Sequence, residues 1–377
     1  MPKLFGRDWS RAQLVRQFGD MSQVFGVRAV TCDDGPERGL RVLEFDTGCG
    51  FRFDVLVDRC MDIGSMQLDR AAIGWHSPTG FRHPWLHEVD AEGGLGFLRS
   101  FSGFMNTCGL DHVLGMAEES ADHYNYPYRA KIFHGIHGRA SYTPARLVGY
   151  GVQWDGDQCT LWAEGEVRQA AMFAENLKLT RRIEARVGEP TVSIRDRVEN
   201  LGFYRTPHML LYHVNIGWPV LDDGSELVAP IAGTPFMAHD PDATDVDYRF
   251  QTAPLDGFRE QVYAHEVKTA ADGTALAALV NRRFDWGDGR TGLGFQMEYD
   301  KRALPCLLQW QNLQAGNYVM GIEPCTVWPG SRQQQRERGE IRWLDHGQES
   351  SYALRFSALA GEAALASLDA RVAAIQG

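Results

Sequence analysis

The sequence of 377 residues lacks a surplus of positive charge: 38 Lys+Arg stand against 49 Asp+Glu, a formal net charge of −11. That argues against a general binder of nucleic acid or of an anionic membrane, which needs clustered Lys and Arg to neutralise phosphates. Long apolar runs are missing too, and none reaches the ~20 residues of a membrane-spanning helix. Residues Met1–Asp8 (MPKLFGRD) carry neither an apolar signal core nor a myristoylation glycine. A soluble, cytoplasmic protein is expected. The seven cysteines, at 32, 49, 60, 108, 159, 306 and 325, are odd in number, widely spread and free of any CxxC. Reduced, mostly buried thiols are expected rather than a disulfide framework or a zinc ribbon. No G-x-G-x-x-G opens a strand–helix unit, and there is neither a P-loop nor a G-x-S-x-G elbow. Dinucleotide, P-loop and serine-hydrolase readings therefore lack support. His83 and His87 have a metal-ligand spacing for a helix. Pro84-Trp85-Leu86 between them is a poor helix interior, and no third ligand is evident, so no metal is expected.

Glycine is plentiful, at 40 residues, more than one in ten against a usual ~7%. At ~150 residues per domain the length allows two domains or one large β domain, and turn-forming glycine favours the second. The periodicity agrees. Arg41–Phe45, Phe51–Val57, Thr160–Val167, Leu177–Ala185, Thr191–Glu199, Met209–Val214, Cys306–Trp310 and Tyr318–Ile322 read as strands. Helical patterns are confined to Arg11–Phe18 and the Ala-rich, amphipathic Gly361–Ile375. The Gly/Pro/aromatic stretch Gly74–Tyr128 has little periodicity, and a loop of that length is usually functional. Asp240–Asp247 reads as an acidic surface loop. The expectation is one mainly antiparallel β domain.

Titratable residues concentrate among apolar or glycine neighbours in three places: Phe133–Arg139 (FHGIHGR), Thr206–Asn215 (TPHMLLYHVN) and Tyr318–Pro324 (YVMGIEP). Each puts a His or Glu at the end of a strand-like run. Side chains alternate faces along a strand. His208 and His213 are five apart and point to opposite faces, and His134 and His137, three apart, do the same. Only one of each pair can face a pocket. Glu323 precedes Pro324 and is expensive to bury unpaired, so it reaches a cleft or has a partner. A fourth cluster, Asp58–Gly64 (DRCMDIG), offers the fixed donor fork of Arg59.

These residues, in this order, resemble the galactose mutarotase-like superfamily, and within it a bacterial aldose 1-epimerase-like branch of unknown function (DUF4432-type). The matching pieces are Val57–Gly64, Asn106–Asp111, His137–Ser141, Leu211–Gly217 and Gly321–Pro324, so the likeness spans about residues 40–360. The resemblance implies an all-β fold, a β-supersandwich of large antiparallel sheets with few short helices. Residues 1–377 would form one domain, with 74–128 as an inserted, lid-like segment. It implies anomer interconversion of a small-molecule sugar, in which a glutamate takes the anomeric hydroxyl proton and a histidine protonates the ring oxygen. No cofactor or metal is needed, and a monomer or homodimer is expected.

Carried over by position, Glu323 is the base and His213 the acid. Thr206-Pro207-His208 also resembles the start of the histidine motif, which keeps His208 as an alternative. His137 would bind the sugar, and Arg59 and Asp62 would hold hydroxyls. Arg139 and Asn215 join the substrate-binding set from within the matched motifs. Glu260 is a candidate for the acidic residue that binds hydroxyls, and Trp310 offers an apolar platform, as do Trp75, Trp218 and Trp328. Gly64, Gly138, Gly217 and Gly321 would let a sugar approach the backbone. Two other readings use the same residues: a lyase or isomerase acting on an oxidised or modified sugar, and a non-catalytic carbohydrate-binding protein.

Overall fold

The computed structural model describes residues 1–233, 236–237 and 247–377, so Asp240–Asp247, apart from Asp247, lies outside the described residues. Two large antiparallel sheets dominate. The front sheet contains β1 (Gly26–Thr31), β2 (Arg41–Asp46), β3 (Phe51–Leu56), β4 (Asp62–Leu68) and β5 (Met105–Leu110). The back sheet follows with β6 (Arg146–Asp155), β7 (Gln158–Ala170), β8 (Asn176–Arg186) and β9 (Thr191–Asn200). β10 (Thr206–Ile216) returns to the front, β11 (Glu226–Val228) lies in the back, and β12 (Gln261–His265) in the front. β13 (Thr274–Asp285) and β14 (Thr291–Asp300) are back strands, β15 (Cys306–Gln314) and β16 (Asn317–Cys325) front strands, and β17 (Glu349–Ala360) closes the back sheet. The front order is β12-β15-β16-β10-β5-β4-β3-β2-β1, and the back order β6-β7-β8-β9-β17-β14-β13-β11. Every strand expected from alternation lies within one of these elements, one residue of Phe51–Val57 excepted.

Alternation decides which face is core. In β8, Leu177, Leu179, Ile183 and Ala185 are buried at every second position, with half-exposed polar residues between. Aromatic rings join the sheets: Phe104 stands edge-on to Phe295 of β14 and Phe356 of β17, at 5.3 and 5.4 Å. A charged group is also sealed between the sheets. Arg181 of β8 pairs with Asp196 of β9 at 2.6 Å and with Asp62 of β4 at 3.1 Å, and the Tyr212 hydroxyl donates to Asp196.

β10 is buried at all eleven positions because both of its faces are covered. Leu210, Tyr212, Val214 and Ile216 pack in the inter-sheet core. Met209 and Leu211, of opposite parity, pack in a second cluster on the outer face of the front sheet, with Phe97, Phe101 and Trp75. Those three aromatics come from the segment 74–128. That segment is partly sheet: β5 lies within it and pairs with β10 along its whole length. Its short turn Gly96–Arg99 carries Phe97 over the outer face.

α1 (Arg11–Gln17) starts from a capping box of Ser10 and Gln13. α2 (Arg332–Glu337) is short. α3 (Glu362–Gln376) buries Leu365, Leu368 and Val372 against the outer face of the back sheet, beside Leu276, Ala278 and Val280 of β13. Among the described residues no helix is long and apolar enough to cross a membrane.

Candidate active site

Strand register builds the site. β10 and β16 run antiparallel with Leu211 opposite Cys325 and Val214 opposite Ile322. His213 therefore stands opposite Glu323, on the outer face. On the other sides His213 faces Asn106 of β5, and Glu323 faces Leu308 of β15. One row across four strands thus reads Leu308, Glu323, His213, Asn106. The next row reads Trp310, Gly321, Asn215.

The His213 Nε2 to Glu323 Oε1 distance is 3.3 Å, and both side chains are about 5% exposed. His213 Nδ1 lies 2.7 Å from Asn215 Oδ1. Aromatic rings crowd the imidazole: Phe101 at 4.7 Å, Trp310 at 5.4 Å and His137 at 5.4 Å between centroids. His137 sits on a loop at φ 61°, a left-handed conformation, and packs on Phe97 at 4.9 Å. Its Nδ1 and Glu323 Oε1 are buried without a hydrogen-bond partner in the protein. Trp310 Nε1 donates to Glu260 at 2.7 Å. Gly321 makes room: a Cβ there would lie 2.3 Å from Glu323 Oε1.

Burial sets the electrostatics. It pushes the Glu323 carboxyl from 4.5 up to about 8, with the charge of Glu260 adding to the effect. Burial, with the nearby His137, pulls His213 well below 6.5, and burial alone takes His137 down to about 4. The close approach of Glu323 and His213 is therefore a neutral acid beside a neutral base at pH 7. Desolvation penalises both charges, and the pair holds one proton.

The structure thus brings together Glu323, His213, His137, Asn215 and Trp310, with Glu260 behind Trp310. It does not bring in the other four candidates. His208 faces the inter-sheet side, where Nδ1 meets Leu110 O and Nε2 meets the Tyr352 hydroxyl, both at 2.7 Å. The parity of β10 puts it on the face opposite Glu323. Asp62 lies between the sheets, accepting from Thr107 N–H, the Thr107 and Ser141 hydroxyls and Arg181. Arg59 is fully buried and donates to the carbonyls of Ser141, Ser100 and Arg82, so its fork clamps loops. Arg139 pairs with Asp90 and lines a separate cavity of about 370 Å³ with Arg129, Arg168 and Glu175.

Among the four glycines, only Gly321 touches the site. A Cβ at Gly64 would meet Leu56, at Gly138 the carbonyls of Gly109 and His112, and at Gly217 Trp75. Trp218 is 65% exposed, while Trp75 and Trp328 pack in the outer cluster. Asn106, Phe97 and Phe101 escaped the sequence reading. Asn106 opens one of the matched motifs, which is the signal that was available. Among the described residues no group of three or more His, Cys, Asp or Glu has the geometry to hold a metal ion.

The sequence profile of the family described as "Domain of unknown function (DUF4432)" matches residues 37–358. No curated protein matches the chain in sequence. In three dimensions it is similar to a protein from Klebsiella pneumoniae subsp. pneumoniae MGH 78578 called a "putative aldose 1-epimerase". The TM-score is 0.80 at 24% identity, covering 95% of this chain and 91% of that one. It is also similar to a galactose mutarotase-like protein from Clostridium acetobutylicum, with a TM-score of 0.57 at 12% identity over 89% and 99% of the two chains. A galactose 1-epimerase from Lactobacillus acidophilus NCFM gives a TM-score of 0.54 at 12% identity, over 89% and 99%. At these identities the likeness shows the fold, that of the galactose mutarotase-like proteins.

Proposed function

The chain belongs to the family described as a domain of unknown function (DUF4432), and we propose that it is an aldose 1-epimerase that interconverts the anomers of a sugar. The observation that carries this is the Glu323–His213 pair: two proton-transfer groups 3.3 Å apart, walled by Trp310, Phe101 and His137. Anomer exchange needs one group to take a proton and another to give one. One member of the pair takes the proton of the anomeric hydroxyl. The C1–O5 bond breaks, its electrons go to O5, and the other member protonates O5. The open aldehyde turns about C1–C2 and recloses with the two proton transfers reversed. The pair ends with the one proton it began with, so no net charge is left in a buried site. Trp310 and Phe101 suit the apolar face of a sugar ring, and the unpartnered His137 Nδ1 suits a hydroxyl.

The test is polarimetry on freshly dissolved α- and β-aldoses, with product NMR. Acceleration toward the equilibrium rotation that Glu323→Gln abolishes is expected. No acceleration across a broad panel, or a new double bond or skeleton in the products, would overturn the proposal. The second outcome would instead identify a lyase or isomerase.

A further inference from the structure

We propose that Asn215 and Asn106 are positioning residues that fix the His213 tautomer and so leave the ring nitrogen that faces Glu323, Nε2, without a hydrogen. The catalytic consequence rests on the epimerase reading, but the tautomer does not. A carbonyl oxygen only accepts, which orients both amides. Asn215 Nδ2 lies 2.9 Å from Gly103 O, so its NH2 end points there and its Oδ1 points at His213. An oxygen facing Nδ1 at 2.7 Å requires that Nδ1 carry the hydrogen. Asn106 is oriented in the same way by Ser102 O at 3.3 Å, and its Oδ1 then receives Asn215 Nδ2 at 3.2 Å. Two separate backbone anchors thus give one direction: Ser102 and Gly103 carbonyls, the amides, Nδ1–H. Nε2 is left as a lone pair aimed at Glu323 Oε1. All three side chains are buried, with Asn215 at 0% and Asn106 at 1% exposure, so water does not compete for these bonds.

The chemistry explains why an amide stands here. A carboxylate beside Nδ1 would hold the ring as a cation, and Glu323 would answer as an anion, a static ion pair. A neutral amide orients the ring without adding charge, and the single proton stays transferable between Nε2 and Glu323. The titratable and charged groups around His213 are Glu323, His137 and, behind Trp310, Glu260. None of them contacts Nδ1, whose hydrogen-bond partner is Asn215 Oδ1.

The experiment is a long-range 1H–15N correlation spectrum of histidine-labelled full-length protein at pH 7, with His213 assigned through His213→Gln. A protonated Nδ1 and a bare Nε2 are expected in the wild type. Asn215→Asp is expected to move both nitrogens into the imidazolium range. Asn106→Leu, which removes the acceptor of Asn215 Nδ2 and leaves the Asn215–His213 pair in place, is expected to mix the tautomers. In the polarimetric assay both variants are expected to lose kcat by at least ~10-fold with KM held within twofold, since a wrong histidine tautomer costs up to ~10⁴ in a hydrolase triad. An Nε2–H tautomer in the wild type overturns the inference whatever the activity. So does a variant that raises KM while leaving the tautomer unchanged, which would make Asn215 a substrate ligand. A wild type with the Nδ1–H tautomer and no mutarotation supports the inference and overturns the epimerase reading alone.

Discussion

Replacing Glu323 by glutamine is expected to remove activity and to stabilise the protein at neutral pH. The carboxyl titrates at 4.5 when exposed and at about 8 in the fold. Between those values the unfolded chain ionises it and the folded chain does not. The folded state therefore holds the extra proton, and stability falls as pH rises, by about 1.4 kcal/mol per unit. This contribution is intact below pH 4.5 and fully lost above about 8. At pH 7 the loss is about 3 kcal/mol, a large share of the ~5–15 kcal/mol that holds a typical domain. Glutamine keeps the size and the neutral polarity without the titration. The lowered His213 acts in the other direction, since its stability contribution is lost as pH falls below 6.5. It is present in both proteins, so the difference between them isolates Glu323. Urea unfolding at pH 5 and pH 7, with equal m-values, is the assay. The stability gap between variant and wild type is expected to widen by about 2–3 kcal/mol over those two units. A gap that stays constant would show Glu323 ionised at neutral pH and would refute the one-proton pair.

Three further outcomes follow from the same geometry. The wild-type kcat/KM is expected to stay level through neutral pH and to fall above pH about 8, where the pair loses its only proton and nothing remains to protonate O5. A rate that rises through pH 8 would refute this. Gly321→Ala places a methyl 2.3 Å from Glu323 Oε1 and is expected to lower kcat about 100-fold through misplacement of the carboxyl. The fold measured by circular dichroism should be retained, and full activity would contradict the placement. Asp62→Ala strips Arg181 of a buried partner and is expected to cost about 3–5 kcal/mol, read as a lowered melting temperature. The KM of the surviving protein is expected to be unchanged, and an unaltered melting curve with a raised KM would return Asp62 to the sugar site.

Strand positions were legible because period-2 alternation survives wherever one face is core and the other wet. β7, β8 and β9 are of this kind. β10 is not, since both of its faces are covered and it reads as a continuous apolar run. Even there, parity separated His208 from His213, because that argument needs only an extended backbone. β5 was hidden for a different reason. Its six residues, Met105–Leu110, are all buried between β4 and β10, with no polar face to mark them. The segment around them looked like one long loop.

The charged motif around Asp62 shows where sequence reasoning runs out. Arg59 and Asp62 have the donors and acceptors that a sugar site needs, and nothing local says which way they point. Their partners come from far along the chain: Ser141 and Ser100 for Arg59, and Arg181 for Asp62. The row of the candidate site has the same character. Asn106, His213 and Glu323 are each separated by about a hundred residues, and only the pairing of β5, β10 and β16 makes them neighbours. What differs is the face. Residues of one parity in the front sheet meet the back sheet, where a charge must be fully paired, as Arg181 is by two carboxylates. Residues of the other parity meet the aromatic loops, where Glu323 Oε1 meets His213 Nε2 at 3.3 Å and His137 Nδ1 is buried without a hydrogen-bond partner in the protein. A buried polar atom left in that state is costly within a fold. That such an atom lies on a ring 5.4 Å from the His213 imidazole, beside the Glu323–His213 pair, favours the outer face of the front sheet over the charged network between the sheets as the place to test for chemistry.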